Sequence, residues 1–367
     1  MCKSDVRSCL VLFLLGITFL RQSVAQVQTS IRSPLSPDGV NQLQIGAQAG
    51  DPSAQLNLGK AYDDGNGVLQ SDSQAVKWYR AAAEQGNATA QNNLGLMYRS
   101  GRGVQQDKTE ALNWYRKAAK QKNSNAMFNL GAAYYNGDGI ATNDVNAYAW
   151  FLLGQKFGSQ YADAAVGQMK GEARDLASAY EKIGDMYQKG DELPQSSREA
   201  VDWYRKAAEN GTAPVQMKLV SLLVDGVAGT PDYAEVRGLC EKAANLHYSP
   251  ADYCMGELYA HGLGVERDLS KAAQWFKEGS DLGHALSTLR LGQMYLKGEG
   301  LQQDKISAYE FIYLAATSDL PQAKLEKERL EKELTPKELK KAKAKADDFS
   351  HYHRPLVLRG SNPLVIH

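Results

Sequence analysis

The chain has 367 residues, of which 42 are lysine or arginine and 42 are aspartate or glutamate, so its formal net charge is zero. That balance leaves no basic field to hold nucleic acid and no acidic tail of note. The length suits two ordinary globular domains, unless the chain is a repeat array, which grows in one dimension and escapes the size limit of a single core.

Residues 1–25 read as a secretory signal peptide. Lys3 and Arg7 supply the positive start, Cys9 to Leu20 the apolar run, and Ser23-Val24-Ala25 a small-x-small cleavage site. The run falls short of the ~20 residues that span a bilayer, and Arg21 ends it. Neither Cys2 nor Cys9 closes the run behind small residues, as a lipid attachment would need, so export to the periplasm or beyond the cell is expected. Residues 26–40, rich in Ser, Pro and Gln, read as a disordered leader. From Asn41 the chain resembles the second half of a repeat, because Gln48-Ala49-Gly50-Asp51 echoes Glu84-Gln85-Gly86-Asn87, and this half-unit is expected to cap an array.

The clearest unit runs from Asn87 to Lys122. Ala90, Leu94, Met97 and Tyr98 fall at helical spacing, and Gly101-x-Gly103 stops that helix. Asp107 with Glu110 is a capping-box start for a second helix, whose apolar face is Ala111, Trp114, Tyr115 and Ala118. A Leu-Gly step recurs at Gly59, Gly95 and Gly131, and the second-helix aromatic at Trp78, Trp114 and Trp150, each 36 residues apart. The pattern resumes at Gly184 and Trp203, passes a degenerate copy with Val220 and Leu239, and continues through Gly256 with Trp275 and Gly292 with Phe311. The signature A-x-x-x-L-G-x-x-Y, G-x-G-V, A-x-x-W-Y at this period resembles the Sel-one-like repeat (SLR) family, a relative of the tetratricopeptide repeat. The resemblance implies an all-α fold: a right-handed α-solenoid of about seven 36-residue helix-turn-helix repeats with C-terminal capping helices.

The step from Gly131 to Gly184 is 53 residues, and the added 17 follow Tyr148-Ala149-Trp150-Phe151-Leu152-Leu153. Tyr309-Glu310-Phe311-Ile312-Tyr313-Leu314 closes the last repeat in similar fashion. Two blocks are therefore expected, 41–176 and 177–349, each ending in an extended helix, with a break around Gly158 to Ser178. Thr335-Pro336 with Glu338 starts a further capping helix. Residues 350–367 read as a disordered tail.

No enzyme is expected. No lysine has a serine three residues before it, which removes the S-x-x-K of penicillin-interacting proteins, and the common hydrolase, metalloprotease and nucleotide motifs are missing as well. The Gly-x-Gly elements follow helices rather than strands and recur with the repeat, so they are structural and not phosphate loops. His351-Tyr352-His353 is a weak candidate for a metal, and neither a metal nor a cofactor is expected. Cys240 and Cys254 lie on neighbouring antiparallel helices. They could form a disulfide, as in some secreted SLR proteins, or stay two buried free thiols.

The resemblance places function on a concave face lined by first helices, where related solenoids hold a protein or peptide. Helix geometry points to Asn92, Arg99, Phe128 and Tyr135 in the first block and to Glu181, Asp185, Tyr253, Glu257 and His261 in the second. Phe128 and Tyr253 would equally suit packing between repeats. The expected role is an exported non-catalytic adaptor or scaffold for protein partners, in envelope regulation or host interaction. The alternative is a secreted cell-wall hydrolase or penicillin-interacting protein.

Overall fold

The computed structural model describes residues 34–352, apart from 170–172, 228 and 319. The expected signal peptide and most of the leader lie outside the described residues, as does the tail beyond 352. The described residues form eighteen helices and no strand. The chain divides into two compact units, Met1–Ser196 and Ser197–His367.

Helix α1 (Pro37–Gln48) opens the first unit. It starts earlier than the 41 read from the repeat echo, because Ser36 accepts from the Gly39 N–H at 3.1 Å and Pro37 presets the first helical dihedral. Three helix pairs follow: α2 (Pro52–Asp64) with α3 (Asp72–Glu84), α4 (Ala88–Ser100) with α5 (Lys108–Lys120), and α6 (Ser124–Asn136) with α7 (Asp144–Lys156). Each pair packs on the next.

The second pair shows why this sequence makes a hairpin. Asn87 accepts from the Ala90 N–H at 3.0 Å and so caps α4. Gly101, at φ 74°, ends α4 and returns its N–H to the Met97 carbonyl. Asp107 then caps α5 by accepting from the Glu110 N–H at 2.9 Å. The reciprocal half of the expected capping box is not made, because the Asp107 N–H goes to the Tyr98 carbonyl and Glu110 accepts from Asn113. That bond to a tyrosine carbonyl recurs from Ser71 to Tyr62, Asn143 to Tyr134, Ser196 to Tyr187, Asp268 to Tyr259 and Asp304 to Tyr295. It closes the loop of six copies in one geometry.

The Leu-Gly glycine makes room for a ring. A Cβ on Gly95 would sit 2.6 Å from the Tyr115 ring, and one on Gly131 at 2.6 Å from that of Phe151. Gly103, at φ 65°, abuts the Asp72 carbonyl of the preceding copy and so locks one repeat to the next. The tryptophans lie inward: Trp114, Trp150 and Trp203 are buried, while Trp78 and Trp275 are half-buried against alanine-rich clusters.

The stretch after Leu153, expected as an extended helix with a break around Gly158 to Ser178, turns at the start of that interval. Gly158, at φ 87°, reverses the chain and Ser159 caps a separate helix, α8 (Gln160–Gln168), before α9 (Ala173–Lys189). Gly158-Ser159 supplies the same turn-and-cap chemistry as Gly86-Asn87 between repeats, so the chain starts a new helix there. Both α8 and α9 pack on α7.

The second unit contains α10 (Ser197–Asn210), α11 (Ala213–Val224) and α12 (Tyr233–Ala244), then α13 (Ser249–His261) and α14 (Leu269–Asp281), and α15 (Ala285–Lys297) and α16 (Lys305–Ala316). Helices α17 (Pro321–Glu333) and α18 (Pro336–Tyr352) both cover α16, the arrangement that α8 and α9 make on α7. In α18 the capping box is complete: Glu338 accepts from the Thr335 N–H at 2.9 Å, and Thr335 Oγ1 from the Glu338 N–H at 3.4 Å. The helix runs to Tyr352, into the stretch read as tail.

Candidate functional site

Of the nine residues read as partner contacts, the structure buries four. Asn92 is 4% exposed and accepts from Asn129 Nδ2 at 2.8 Å, a bond between successive first helices. Phe128 lies 5.6 Å, ring to ring, from both Phe151 and Tyr161, and Tyr135 is buried. Glu257 is 5% exposed and receives Arg290 Nε at 2.8 Å and His261 Nε2 at 3.2 Å. For Phe128 the packing alternative is the correct one. Helical phase alone does not reveal this burial: Asn92 and Glu257 bond to the next first helix, and Phe128 packs on the second helix of its own repeat and on α8.

Tyr253 is half-buried, its ring 5.7 Å from Phe276 and 5.5 Å from His284. Burial, then the Glu257 charge, pushes its phenol up. Arg99 remains partly accessible but is held by Asp138, whose Oδ2 lies 3.1 Å away, with Lys108 on the other oxygen at 2.8 Å. Burial raises the Asp138 carboxyl, yet Lys108 and Arg99 hold it below its ordinary range. Glu181 and Asp185 on α9 are half-buried and His261 is exposed. The accessible part of the predicted face is therefore mostly polar: Arg99, Glu181 and Asp185 in the first unit, and His261 beside the half-buried Tyr253 in the second.

A polar ladder that sequence reasoning missed runs from α13 to α17. Glu257 takes Arg290, Arg290 donates to Gln293 at 3.1 Å, and Gln293 donates to Glu326 at 2.7 Å. The 33-residue spacing of the first and last bonds was its signal. Nearby, a cavity of about 480 Å³ is lined by Arg237, Tyr259, Arg267 and Lys271 together with Glu266 and Asp268. Its charges of both signs give it no single preference.

Cys240 and Cys254 are disulfide-bonded and fully buried, with Cα atoms 6.2 Å apart. The sequence left this open because packed helix axes lie 8–10 Å apart. Cα atoms on facing sides lie closer together than the axes do, and Cys240 occupies the place that Tyr115 and Phe151 fill in other copies, so a small side chain stands where those copies carry a ring. Val220, where other copies have glycine, fills the space that the lost ring leaves.

Ser287 lies 2.9 Å from His284 Nδ1, a contact that could be mistaken for a nucleophile and its base. Ser287 is wholly buried, and His284 uses the same nitrogen to cap α15, so the pair is a helix start. Burial pushes the His284 imidazole down to about 4. Among the described residues no cluster of three or more His, Cys, Asp or Glu side chains could hold a metal ion, and no helix is long and apolar enough to cross a membrane.

The Sel1 repeat family model matches residues 52–87, 88–123, 124–154, 177–212, 249–284 and 285–320, more than half of the chain. The chain belongs to the Sel1 repeat family. Sel1-repeat proteins are generally protein-interaction scaffolds. The matched segments leave out the degenerate copy that carries Val220 and Cys240. The Sel1-repeat-containing protein YjcO of Escherichia coli K12 is 35% identical over 79 residues, which cover 20% of this chain and 34% of YjcO. The chain thus spans about a third of the length of that curated relative. A Sel1 repeat protein from Oxalobacter formigenes is similar at 30% identity, with 80% of each chain covered and a TM-score of 0.38. A protective antigen of uropathogenic Escherichia coli strains that displays an SLR fold is 23% identical, covering 88% of this chain and 90% of its own, with a TM-score of 0.36.

Proposed function

We propose that this Sel1 repeat protein is an exported, non-catalytic adaptor that holds a protein partner on the faces lined by its first helices, in envelope regulation or host interaction. The observation that carries the reading is the contrast between the two sets of side chains on those helices. Residues common to the copies, such as Gly95, Tyr98 and Gly103, are spent on packing and loop closure. Arg99, Glu181, Asp185 and His261 differ from copy to copy and keep accessible polar groups. Charged groups in such positions select a partner more than they stabilise the fold. Export is supported by the N-terminal pattern of residues 1–25 and by the buried Cys240–Cys254 bond, which suits an oxidising compartment.

The test is affinity capture from periplasmic extract, with the chain from residue 26 onward as bait. A variant with Arg99, Glu181, Asp185 and His261 all changed to alanine should melt within a few degrees of the parent and lose its partner. Retention of the same partner by that variant would show that the face is wrongly assigned. Turnover of a chromogenic β-lactam, abolished by mutation of a serine, would overturn the adaptor reading itself.

A further inference from the structure

Four residues before the Leu-Gly glycine, several copies place a side chain that donates backwards across the repeat boundary. Gln55 Nε2 donates to the Ala47 carbonyl at 3.2 Å, Gln91 to Ala83 at 3.0 Å and Gln216 to Ala208 at 3.4 Å. Each target lies eight residues earlier, at the end of the preceding helix, where the Ala47 and Ala83 carbonyls also accept a turn N–H from Gly50 and Gly86. In the last copy Thr288 meets Ser280 across the same interval, with their hydroxyl oxygens 2.9 Å apart.

In the sixth copy this slot holds Asp252. The side chain is 3% exposed, and its Oδ2 has no hydrogen-bond partner. A carboxylate can only accept, whereas a carboxylic acid can also donate. The slot also lacks a donor from the other side. Gln85 and Gln121 donate to the Gln55 and Gln91 side-chain oxygens at 2.7 and 2.8 Å, but Leu282 stands at the matching place opposite Asp252. Gly279 closes one wall: a Cβ there would lie 3.2 Å from that of Asp252.

We propose that Asp252 is a pH-sensitive joint that locks α12, α13 and α14 together when protonated and loosens them when ionised. The protonated acid would donate to the second lone pair of the Ala244 carbonyl, eight residues back, which also accepts from the His247 N–H at 2.7 Å, the carbonyl equivalent to the one glutamine reaches with one more methylene in the sister copies. Ionisation sends the proton to solvent and leaves a buried carboxylate whose Oδ2 has no hydrogen-bond donor. On α14 the facing charge is Glu278, which opposes ionisation, while Lys277 is paired with Asp281 at 2.6 Å. On α12 Glu241 is paired with Arg237 and Lys242 is exposed. From the start of α15 the buried His284 stays neutral above about pH 4. On α13 itself Glu257 is already paired with Arg290 and His261. Burial first, and Glu278 second, raise the Asp252 carboxyl to about 7.

The sign follows from that upward displacement. The joint is tightest below the unfolded aspartate value of about 4, and its contribution is lost as pH rises towards 7 and beyond. Loosening occurs beside Tyr253 and the first-helix face that carries His261, so pH would set how firmly that face is held.

The experiment is hydrogen exchange on the mature, disulfide-intact chain from pH 5 to 8, corrected for intrinsic exchange, in parallel with Asp252→Asn. The parent should open α12–α14 roughly tenfold more per pH unit between 5 and 7. Asp252→Asn, a neutral donor, should hold the opening flat while the other helices follow the parent. Identical pH profiles for parent and variant would overturn the proposal. The Asp252 carboxyl of the parent, followed by carbon NMR, needs no variant: a midpoint above 6 supports the joint and one near 4 overturns it.

Discussion

At the scale of the residue, the side chains that stand out in the sequence are consumed by the fold. Gly95 exists for the Tyr115 ring, so Gly95→Ala should cost about 1–3 kcal/mol through overpacking, read as a lower urea midpoint with an unchanged slope. The ring itself was legible, because Trp114-Tyr115 recurs with the period. The interior polar bonds were not. Asn92 looked like a surface residue because only its helical phase could be read, and its partner Asn129 lies 37 residues away on the next first helix. Gln91 and its carbonyl acceptor were equally hidden. A backbone oxygen leaves no mark in a sequence, and the slot becomes visible only when several copies are superposed. Asp252 gains its meaning from that comparison, since a buried carboxylate is unremarkable until its sister copies show that the site asks for a donor.

At the scale of the element, start and stop signals were read well wherever a cap and a glycine bracket the helix. Asn87, Gly101 and Asp107 each do what their chemistry demands. The stretch after Leu153 reads as an extended helix with a break around Gly158 to Ser178, and the turn lies at Gly158 and Ser159, whose cap chemistry starts α8. The disulfide also belongs to this scale, because its feasibility depends on how closely α12 and α13 approach. It closes a sequence separation of 14 residues, so its removal should destabilise the pair by about 3 kcal/mol. Cys240→Ala with Cys254→Ala should lower the melting temperature, and a reductant should bring the parent down to a similar value. A reductant that left the parent unchanged while the double variant melted early would assign the loss to packing instead.

At the scale of the whole molecule, the 36-residue period was the strongest signal in the chain, and it determined fold class, repeat count and family. It could not show that each unit covers its last complete repeat in one way: α7 carries α8 and α9, and α16 carries α17 and α18. Tyr148-Ala149-Trp150-Phe151 and Tyr309-Glu310-Phe311-Ile312 mark the two places, because a second helix buried on every side must be apolar all round. The proposed function at this scale rests on accessible polar side chains that vary between copies, a property that a repeat signature cannot encode. The most direct measurement is site-specific photo-crosslinking in cells that produce the protein. Probes would replace Arg99, Asp185 and His261 on first helices, and the exposed Asn113, Asp202 and Gln274 on second helices. The account predicts partner adducts from the first set and none from the second; adducts confined to the second set would contradict it.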